Sequence, residues 1–174
     1  SGKSRRIQKN LSKEMEKASK DLDYEKAAIA RDRIKALTQI QTSQKINQTN
    51  LNEADVISIY KETGKTCIQV FFFRSKQNWG NQAFYPKHDA DDAVKDILSS
   101  FVSQFYENKT VPSLIITNDE VNEKTLLEKA LSNKENKQVT IKKAKSKNEM
   151  NISQLAEKNA KQALTLKLIQ SDTN

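Results

Sequence analysis

Apolar side chains follow two different patterns along the chain, and the change of pattern divides it into two regions. Over residues 5–45 they return every three or four positions on two successive segments, which predicts two amphipathic helices. The apolar positions are Ile7, Leu11, Met15 and Ala18 in the first segment, and Ala27, Ala30, Ile34 and Leu37 in the second. Residues 19–23 suffice only for a tight turn, so we expect an antiparallel helical hairpin.

The tip of this hairpin carries the sequence LDYEKAA, which begins at Leu22. Asp23 is a residue type that caps helix N-termini, and Leu22 and Ala27 have the spacing of a hydrophobic staple. Tyr24 is then the first residue of the second helix. We expect its ring to lie outside the seam between the two helices.

A second apolar row, formed by Ile29, Ala36 and Ile40, lies off the main stripe of the second helix. Two helices of this length bury too little apolar surface to be stable alone. The row and Tyr24 are therefore predicted to form a surface for another helical pair. Packing of the row on the following domain is the alternative.

Beyond residues 42–52, which are polar and typical of a linker, the pattern changes to strands and helices. Three β-rich runs start at Ala54, Lys65 and Asn78. A helix over residues 89–107, a strand from Ser113, a helix from Glu123, a strand from Gln138 and a helix from Asn151 follow. This β-β-β-α-β-α-β-α order predicts an α/β fold with a mixed five-stranded sheet of ribonuclease H topology. The expected domains are a hairpin at 1–45, a linker at 46–53 and the α/β domain at 54–174.

Charge is unevenly distributed over the 174 residues. The formal net charge of +8 comprises +6 in residues 1–50, −3 in residues 51–136 and +5 in residues 137–174. Basic ends around an acidic middle suggest a polyanionic partner at particular faces. Lysine-rich solubility without any partner explains the charge alone equally well.

The densest basic run is KKAKSK, residues 142–147, which carries Lys142, Lys143, Lys145 and Lys147. It lies between a predicted strand and a predicted helix. Its ammonium groups, together with that helix N-terminus, are placed to contact the phosphates of a polyanion. A solvated loop without a partner is the alternative.

Other residue types exclude several classes of protein. The single cysteine, Cys67, excludes a disulfide framework and suits the reducing cytosol. No apolar run reaches the roughly 18 residues that span a bilayer, so no membrane association is expected. The only histidine, His88, lies in an acidic turn and is interpreted as a loop residue, and no cofactor is expected.

The predicted topology raises the question of a two-metal nuclease, which needs carboxylates clustered around ions about 4 Å apart. In the first strand the one acid, Asp55, lies at the entry end, whereas Asp119 follows the fourth strand at its exit end. If these strands run parallel, the two acids are roughly 15 Å apart. We therefore predict no catalytic and no metal-binding residues. The alternative is a divergent metal nuclease that uses Asp55, Asp119 and Glu157.

Residues 13–37, KEMEKASKDLDYEKAAIARDRIKAL, closely resemble the UVR motif of the excinuclease subunits UvrB and UvrC. The segments DVISIYKETGKTCIQVFFFRSKQNWGNQAFYPK, FVSQFY, VPSLII and LAEKNAKQAL resemble the central part of the UvrC family. Together these segments cover nearly the whole chain. The Pro-x-Arg-Gly loop that usually follows the last strand in the family is replaced here by IKKAKSKNEM, which keeps the positive charge.

The resemblance implies a cytoplasmic subunit of the UvrABC nucleotide excision repair system, which cuts DNA on both sides of a bulky lesion. The chain then corresponds to a central, non-catalytic fragment that lacks the family's nuclease domains. The implied partners are UvrB, DNA bound through its phosphates without sequence preference, and the other domains of the intact protein. The position matching Tyr24 is typically aromatic in the family. The expected UvrB-binding residues are Leu22, Tyr24, Ala28 and Arg31.

Overall fold

The computed structural model describes residues 2–20, 24–46, 51, 53–74 and 78–173. Two compact units are formed, the first by Ser1–Gln48 with Leu164–Asn174 and the second by Thr49–Ala163. The elements are α1 (Gly2–Lys20), α2 (Tyr24–Ile46), β1 (Ala54–Glu62), β2 (Lys65–Arg74), β3 (Asn78–Phe84), α3 (Val94–Phe105), β4 (Leu114–Thr117), α4 (Lys124–Glu135), β5 (Thr140–Lys143) and α5 (Lys147–Thr173). The predicted order of elements is confirmed.

In the first unit, α1 and α2 pack through the predicted apolar positions. The seam between them consists of Leu11, Met15, Ala30 and Ile34, all of which are buried. Helical spacing places these four side chains on the facing sides of the two helices. The hairpin seam predicted from the three- and four-residue period is therefore confirmed.

One position of the predicted stripe was wrong. Ile7 is 41% exposed, and the neighbouring Gln8 is buried in its place. The Gln8 amide Nε2 donates to Thr38 Oγ1 at 2.9 Å across the two helices, and the Thr38 hydroxyl donates to the Ile34 carbonyl at 2.9 Å. A satisfied polar pair thus replaces the apolar contact at this end of the hairpin.

The last turns of α5 also belong to the first unit. Leu166 is buried in the same apolar cluster as the seam, and Ile169 packs against that cluster. The sequence assigned these residues to the α/β domain, and this third helical segment was not foreseen. The second row of α2 remains exposed, with Ile29 at 50% and Ile40 at 54%.

The second unit is built on one five-stranded sheet in the order β3-β2-β1-β4-β5. β3, β2 and β1 pair antiparallel, while β1, β4 and β5 run parallel, which gives a meander joined to two crossovers. The predicted mixed α/β, ribonuclease H-like architecture is confirmed. The predicted linker lies ahead of β1, but residues 47–50 and 52 are outside the described part of the chain.

Alternation along β1 supplies both faces of this sheet. Ile57 and Ile59 share a core with residues of α3 and α4, among them Leu98 and Leu131. The opposite face meets α5, because Ser58 Oγ donates to the carbonyl of Ser153 at 2.8 Å. The sheet is thus covered by helices on both faces, as its mostly apolar strands require.

Two helices begin at residues other than those predicted. α3 begins at Val94 and not at Asp89, because residues 89–92 form a turn in which the Asp92 N–H donates to the Asp89 carbonyl at 3.0 Å. The predicted start of this helix at residue 89 was therefore wrong. α5 begins at Lys147 and not at Asn151, since Ser146 caps it, as described below.

Candidate partner and nucleic-acid interfaces

The basic run lies where the parallel strands β4 and β5 end, beside the middle of β1. Lys142 and Lys143 are the last residues of β5, Lys145 lies in the short connection, and Lys147 is the first residue of α5. The prediction of a single loop for all four was wrong, because β5 and α5 extend into the run. Lys143, Lys145 and Lys147 are exposed, whereas Lys142 is half-buried.

A carboxylate from the first turn of α5 holds Lys142. The Lys142 Nζ lies 2.9 Å from Glu149 Oε2, and the Glu149 side chain is only 11% exposed. The other oxygen, Oε1, accepts the N–H groups of Lys145 at 3.1 Å and Ser146 at 3.0 Å. In return, Ser146 Oγ accepts the Glu149 N–H at 3.2 Å. This reciprocal pair is a capping box, which starts α5 at Lys147.

These contacts keep Glu149 ionised. Burial by itself raises the pKa of Glu149, but hydrogen bonds from Lys142 and from the Ser146 and Lys145 N–H groups outweigh it and lower the pKa to about 2. The start of α5 was expected to offer N–H donors to phosphates beside the lysines. Those of Lys145 and Ser146 already bond an internal anion and are not available to a phosphate.

Two of the four residues predicted to bind UvrB can be placed with their side chains. Ala28 and Arg31 lie on α2 and are half-buried. The Arg31 Nε is buried 3.5 Å from Asp32 Oδ1 and has no hydrogen-bond partner among the described residues. Leu22 lies outside the described residues, and Tyr24 begins α2 but its side chain lies outside them as well.

Asp55, the first carboxylate of the nuclease alternative, is 1% exposed. Its Oδ1 accepts from Arg74 Nη1 at 2.8 Å, and its Oδ2 accepts from the Tyr106 hydroxyl at 2.5 Å. Burial raises the pKa of Asp55, while the bonds from Arg74 and Tyr106 act in the opposite direction. Burial and the nearby Asp55 carboxylate raise the pKa of Tyr106 well above its usual value. Both Asp55 oxygens thus join the start of β1 to the end of β2 and to the residue that follows α3.

The other two carboxylates lie toward the opposite end of β1. Asp55 is opposite Ile115 and Ile57 is opposite Thr117, the last residue of β4, so Asp119 lies beyond the exit end of that strand. The parallel pairing of β1 with β4, on which the predicted separation of Asp55 from Asp119 depends, is confirmed. Glu157 is held near Asp119, because its Oε1 accepts from Asn118 Nδ2 at 2.6 Å.

Asn118 continues the ladder between β1 and β4 with its side chain. Its Oδ1 accepts the Ile59 N–H and its Nδ2 donates to the Ile59 carbonyl, both at 2.9 Å. Over the ranges that the structure describes, no three His, Cys, Asp or Glu side chains are grouped so that they could hold a metal ion. The polar groups at this end of β4 therefore support strand pairing.

The remaining singled-out residues have structural contacts. The His88 ring contacts Thr66 Oγ1 through Nε2 and the Asp89 carbonyl through Nδ1, both at 2.7 Å, which ties its turn to β2. Cys67 is buried in β2. Within the described residues, no helix has the length and apolar content needed to cross a bilayer.

Sequence reasoning missed two of these features. The S-x-x-E pattern from Ser146 to Glu149 was a usable signal for the capping box, and through it for the ion pair with Lys142. The contacts among Asp55, Arg74 and Tyr106 had no local signal, because the three residues come from separate segments.

The hairpin and the five-stranded domain define a ribonuclease H-like module with a helical hairpin ahead of it. Residues 53–167 match the family model of the UvrC ribonuclease H-like domain, and residues 5–40 match the UvrB/UvrC motif. The chain belongs to the UvrC ribonuclease H-like domain family, and the resemblance found in the sequence is confirmed.

Curated relatives carry the same combination. The UvrABC system protein C of Bartonella quintana (strain Toulouse) is 44% identical over 174 residues, which is 100% of this chain and 26% of the relative. The proteins of the same name from Ruegeria sp. (strain TM1040) and Gluconobacter oxydans (strain 621H) are 41% and 43% identical, covering 99% and 98% of this chain and 27% and 26% of the relatives. The chain thus spans about a quarter of the length of these relatives.

Proposed function

We propose that this chain is a non-catalytic central segment of a nucleotide excision repair protein. Its hairpin recruits the parent protein to UvrB on damaged DNA, and its basic run contacts DNA phosphates. The proposal places this work in the bacterial cytosol, with the other domains of the parent supplying the cuts. The observation that carries it is the match of residues 5–40 to a motif named for both UvrB and UvrC.

The surface of the hairpin supports a helical partner. Ile29 and Ile40 expose about half of their side chains on one row of α2. The Arg31 Nε is a buried donor without a hydrogen-bond partner among the described residues, which is costly unless another group supplies an acceptor. A second hairpin with the same motif would have a matching length, and it would offer both an apolar stripe and carboxylates. Tyr24 at the start of α2 is the proposed aromatic anchor, and Leu22, Ala28 and Arg31 are the other residues proposed to bind UvrB.

Calorimetric titration of the chain with the UVR hairpin of UvrB tests this recruitment. Tyr24→Ala is expected to weaken binding by about 2 kcal/mol, a typical loss for a buried aromatic anchor. Tyr85→Ala, which truncates an exposed tyrosine of the second unit, is the matched control and should leave the affinity unchanged. Equal affinities for both variants would remove Tyr24 from the interface. Absence of binding by the unaltered chain would refute recruitment through UvrB.

The basic run supports contact with DNA, since three of its lysines are exposed at one edge of the sheet. Replacing Lys142, Lys143, Lys145 and Lys147 with glutamine should weaken binding to duplexes of any sequence and flatten its salt dependence, because fewer counterions are released. The control replaces four exposed lysines elsewhere in the second unit, namely Lys65, Lys87, Lys95 and Lys129. If the salt dependence of binding changes equally in both variants, the basic run has no special role in DNA binding.

The non-catalytic assignment is supported by the environment of the carboxylates. Asp55 is buried with both oxygens bonded, and Asp119 and Glu157 lie toward the far end of β1. Incubation of the chain with UvrA, UvrB, Mg²⁺ or Mn²⁺ and a lesion-bearing duplex should give no incision. Incision that disappears with Asp119→Asn would instead establish the metal nuclease that uses Asp55, Asp119 and Glu157.

A further inference from the structure

The two oxygens of the Glu149 carboxylate have different tasks. Oε1 completes the capping box by accepting the N–H groups of Ser146 and Lys145. Oε2 is not needed for the cap, and it pairs with the Lys142 ammonium at 2.9 Å. This second contact joins a carboxylate of α5 to Lys142, whereas the other lysines of the run face solvent.

The other three lysines of the run differ from Lys142 in this respect. Lys143, Lys145 and Lys147 are exposed, and no ion pair of theirs occurs within the part of the chain that the structure describes. Lys142 is the member with a fixed internal partner. Three lysines of the run are therefore exposed to solvent, and the fourth, Lys142, is held in an ion pair.

We propose that Glu149 is an internal counter-anion of the basic run, which withholds Lys142 from DNA phosphates and so limits the affinity of the run for DNA. The inference rests on the proposed DNA contact. The strength of this contact is then set by a competition between the Glu149 carboxylate and the DNA phosphates for Lys142.

The competition favours the carboxylate for physical reasons. Glu149 is 11% exposed and is held by three hydrogen-bond donors, so it cannot turn away when a phosphate approaches. A lysine that keeps its protein carboxylate neutralises no phosphate and releases no counterion from the DNA. The same fixed negative charge also repels phosphates near Lys143 and Lys145.

Glu149→Gln separates the two tasks of this side chain. The amide oxygen of glutamine can still accept the Ser146 and Lys145 N–H groups, which preserves the cap, while the charge that pairs with Lys142 is lost. We expect duplex DNA to bind roughly fivefold to tenfold more tightly near 0.1 M salt, and the logarithmic salt slope to steepen by about one. Glu123→Gln is the matched control, since it removes one exposed negative charge at the N-terminus of α4.

Lys142→Gln supplies the second half of a double-mutant cycle measured by fluorescence anisotropy. In the unaltered chain it should weaken DNA binding much less than Lys143→Gln does. In the Glu149→Gln background it should abolish the whole gain. Thermal unfolding followed by circular dichroism verifies that each variant is folded.

The outcomes separate this inference from the proposed function. If Glu149→Gln and Glu123→Gln change the affinity equally, or if Lys142→Gln is as costly as Lys143→Gln in the unaltered chain, Glu149 does not withhold Lys142. If neither the unaltered chain nor Glu149→Gln binds DNA, the proposed DNA contact itself is wrong. If only Glu149→Gln binds DNA, the Glu149 charge prevents binding by the unaltered chain, which supports the counter-anion role.

Discussion

The two units of the chain differ in where their exposed apolar side chains lie. In the second unit Ile57, Leu98, Val102 and Ile115 have no exposed surface, and helices cover both faces of the sheet. In the first unit the seam is buried, but Ile29 and Ile40 on the same helix expose half of their side chains. The second unit is thus a scaffold with a buried core, and its exposed Leu126 and Met150 lie on different helices. The first unit instead presents two exposed isoleucines on one row of α2, which fits a binding role.

The largest effect is expected in the core of the scaffold. Ile115→Ala removes a side chain with no exposed surface from the central parallel pair, and should lower the free energy of unfolding by about 4 kcal/mol through lost burial and the cavity that remains. Urea unfolding followed by the fluorescence of Trp79 in β3 measures it. A loss below 1 kcal/mol would mean that this core is loosely packed and that the contrast with the first unit is overstated.

The next effect concerns the buried ion pair. Arg74→Met leaves the Asp55 carboxylate buried without its counter-charge, which should cost about 3 kcal/mol of unfolding free energy. Lys137→Met is the control, because it removes a partly exposed pair with Glu53 and should cost less than 1 kcal/mol. Equal costs for the two variants would show that Asp55 is not the structural tie described above.

A smaller effect is expected from Glu149→Ala, which removes the capping box and the contact with Lys142. The free energy of unfolding should fall by about 2 kcal/mol at pH 7. Because folding lowers the pKa of Glu149 from its ordinary value of 4.5 to about 2, its stabilising contribution is complete above pH 4.5 and is lost as the pH falls toward 2. Urea unfolding at pH 7, 4 and 3 checks this. A pH dependence unchanged in the variant would contradict the assignment.

The smallest effect on stability belongs to the exposed row. Ile29→Ser combined with Ile40→Ser should change the unfolding free energy by no more than about 0.5 kcal/mol, as expected for exposed positions. The same variant should weaken binding of the UvrB hairpin. Ile34→Ala, in the seam, is the control and should cost about 2 kcal/mol of stability. A large stability loss from the row would show that it is packed and not available to a partner.

Local periodicity was enough to predict most of the fold. The seam residues recur at helical spacing, and the β-rich runs of β1 and β2 mark strands whose neighbours come next in sequence. The mixed sheet follows from the order of the elements, because hairpins pair antiparallel and crossovers pair parallel. The prediction that Ile7 lies in the seam was wrong, because the Gln8 amide is buried and donates a hydrogen bond to the Thr38 hydroxyl. Apolar periodicity gives no signal for such a polar contact.

The features that escaped prediction depend on side chains distant in sequence. Asp55 meets Arg74 and Tyr106 only after three segments have assembled, so its burial was not readable from its neighbours. α5 continues without a break to Thr173, and nothing in its pattern marks where it leaves one unit for the other. The pairing of Lys142 with Glu149 was easier to predict from the sequence, since the capping box has a recognisable four-residue signature.

The central position of β1 has a consequence for the order in which the second unit folds. Its partner on one side, β2, follows after a two-residue turn, whereas on the other side Asp55 pairs with Ile115, and Ser58 bonds Ser153, which is 95 residues away in sequence. Closing short loops is fast and closing long ones is slow. We expect the meander to form early, while the chain is still being synthesised, and the parallel half of the sheet to complete only when α5 docks. Pulse-labelled hydrogen exchange during refolding should therefore protect the N–H groups of β2 before those of β4.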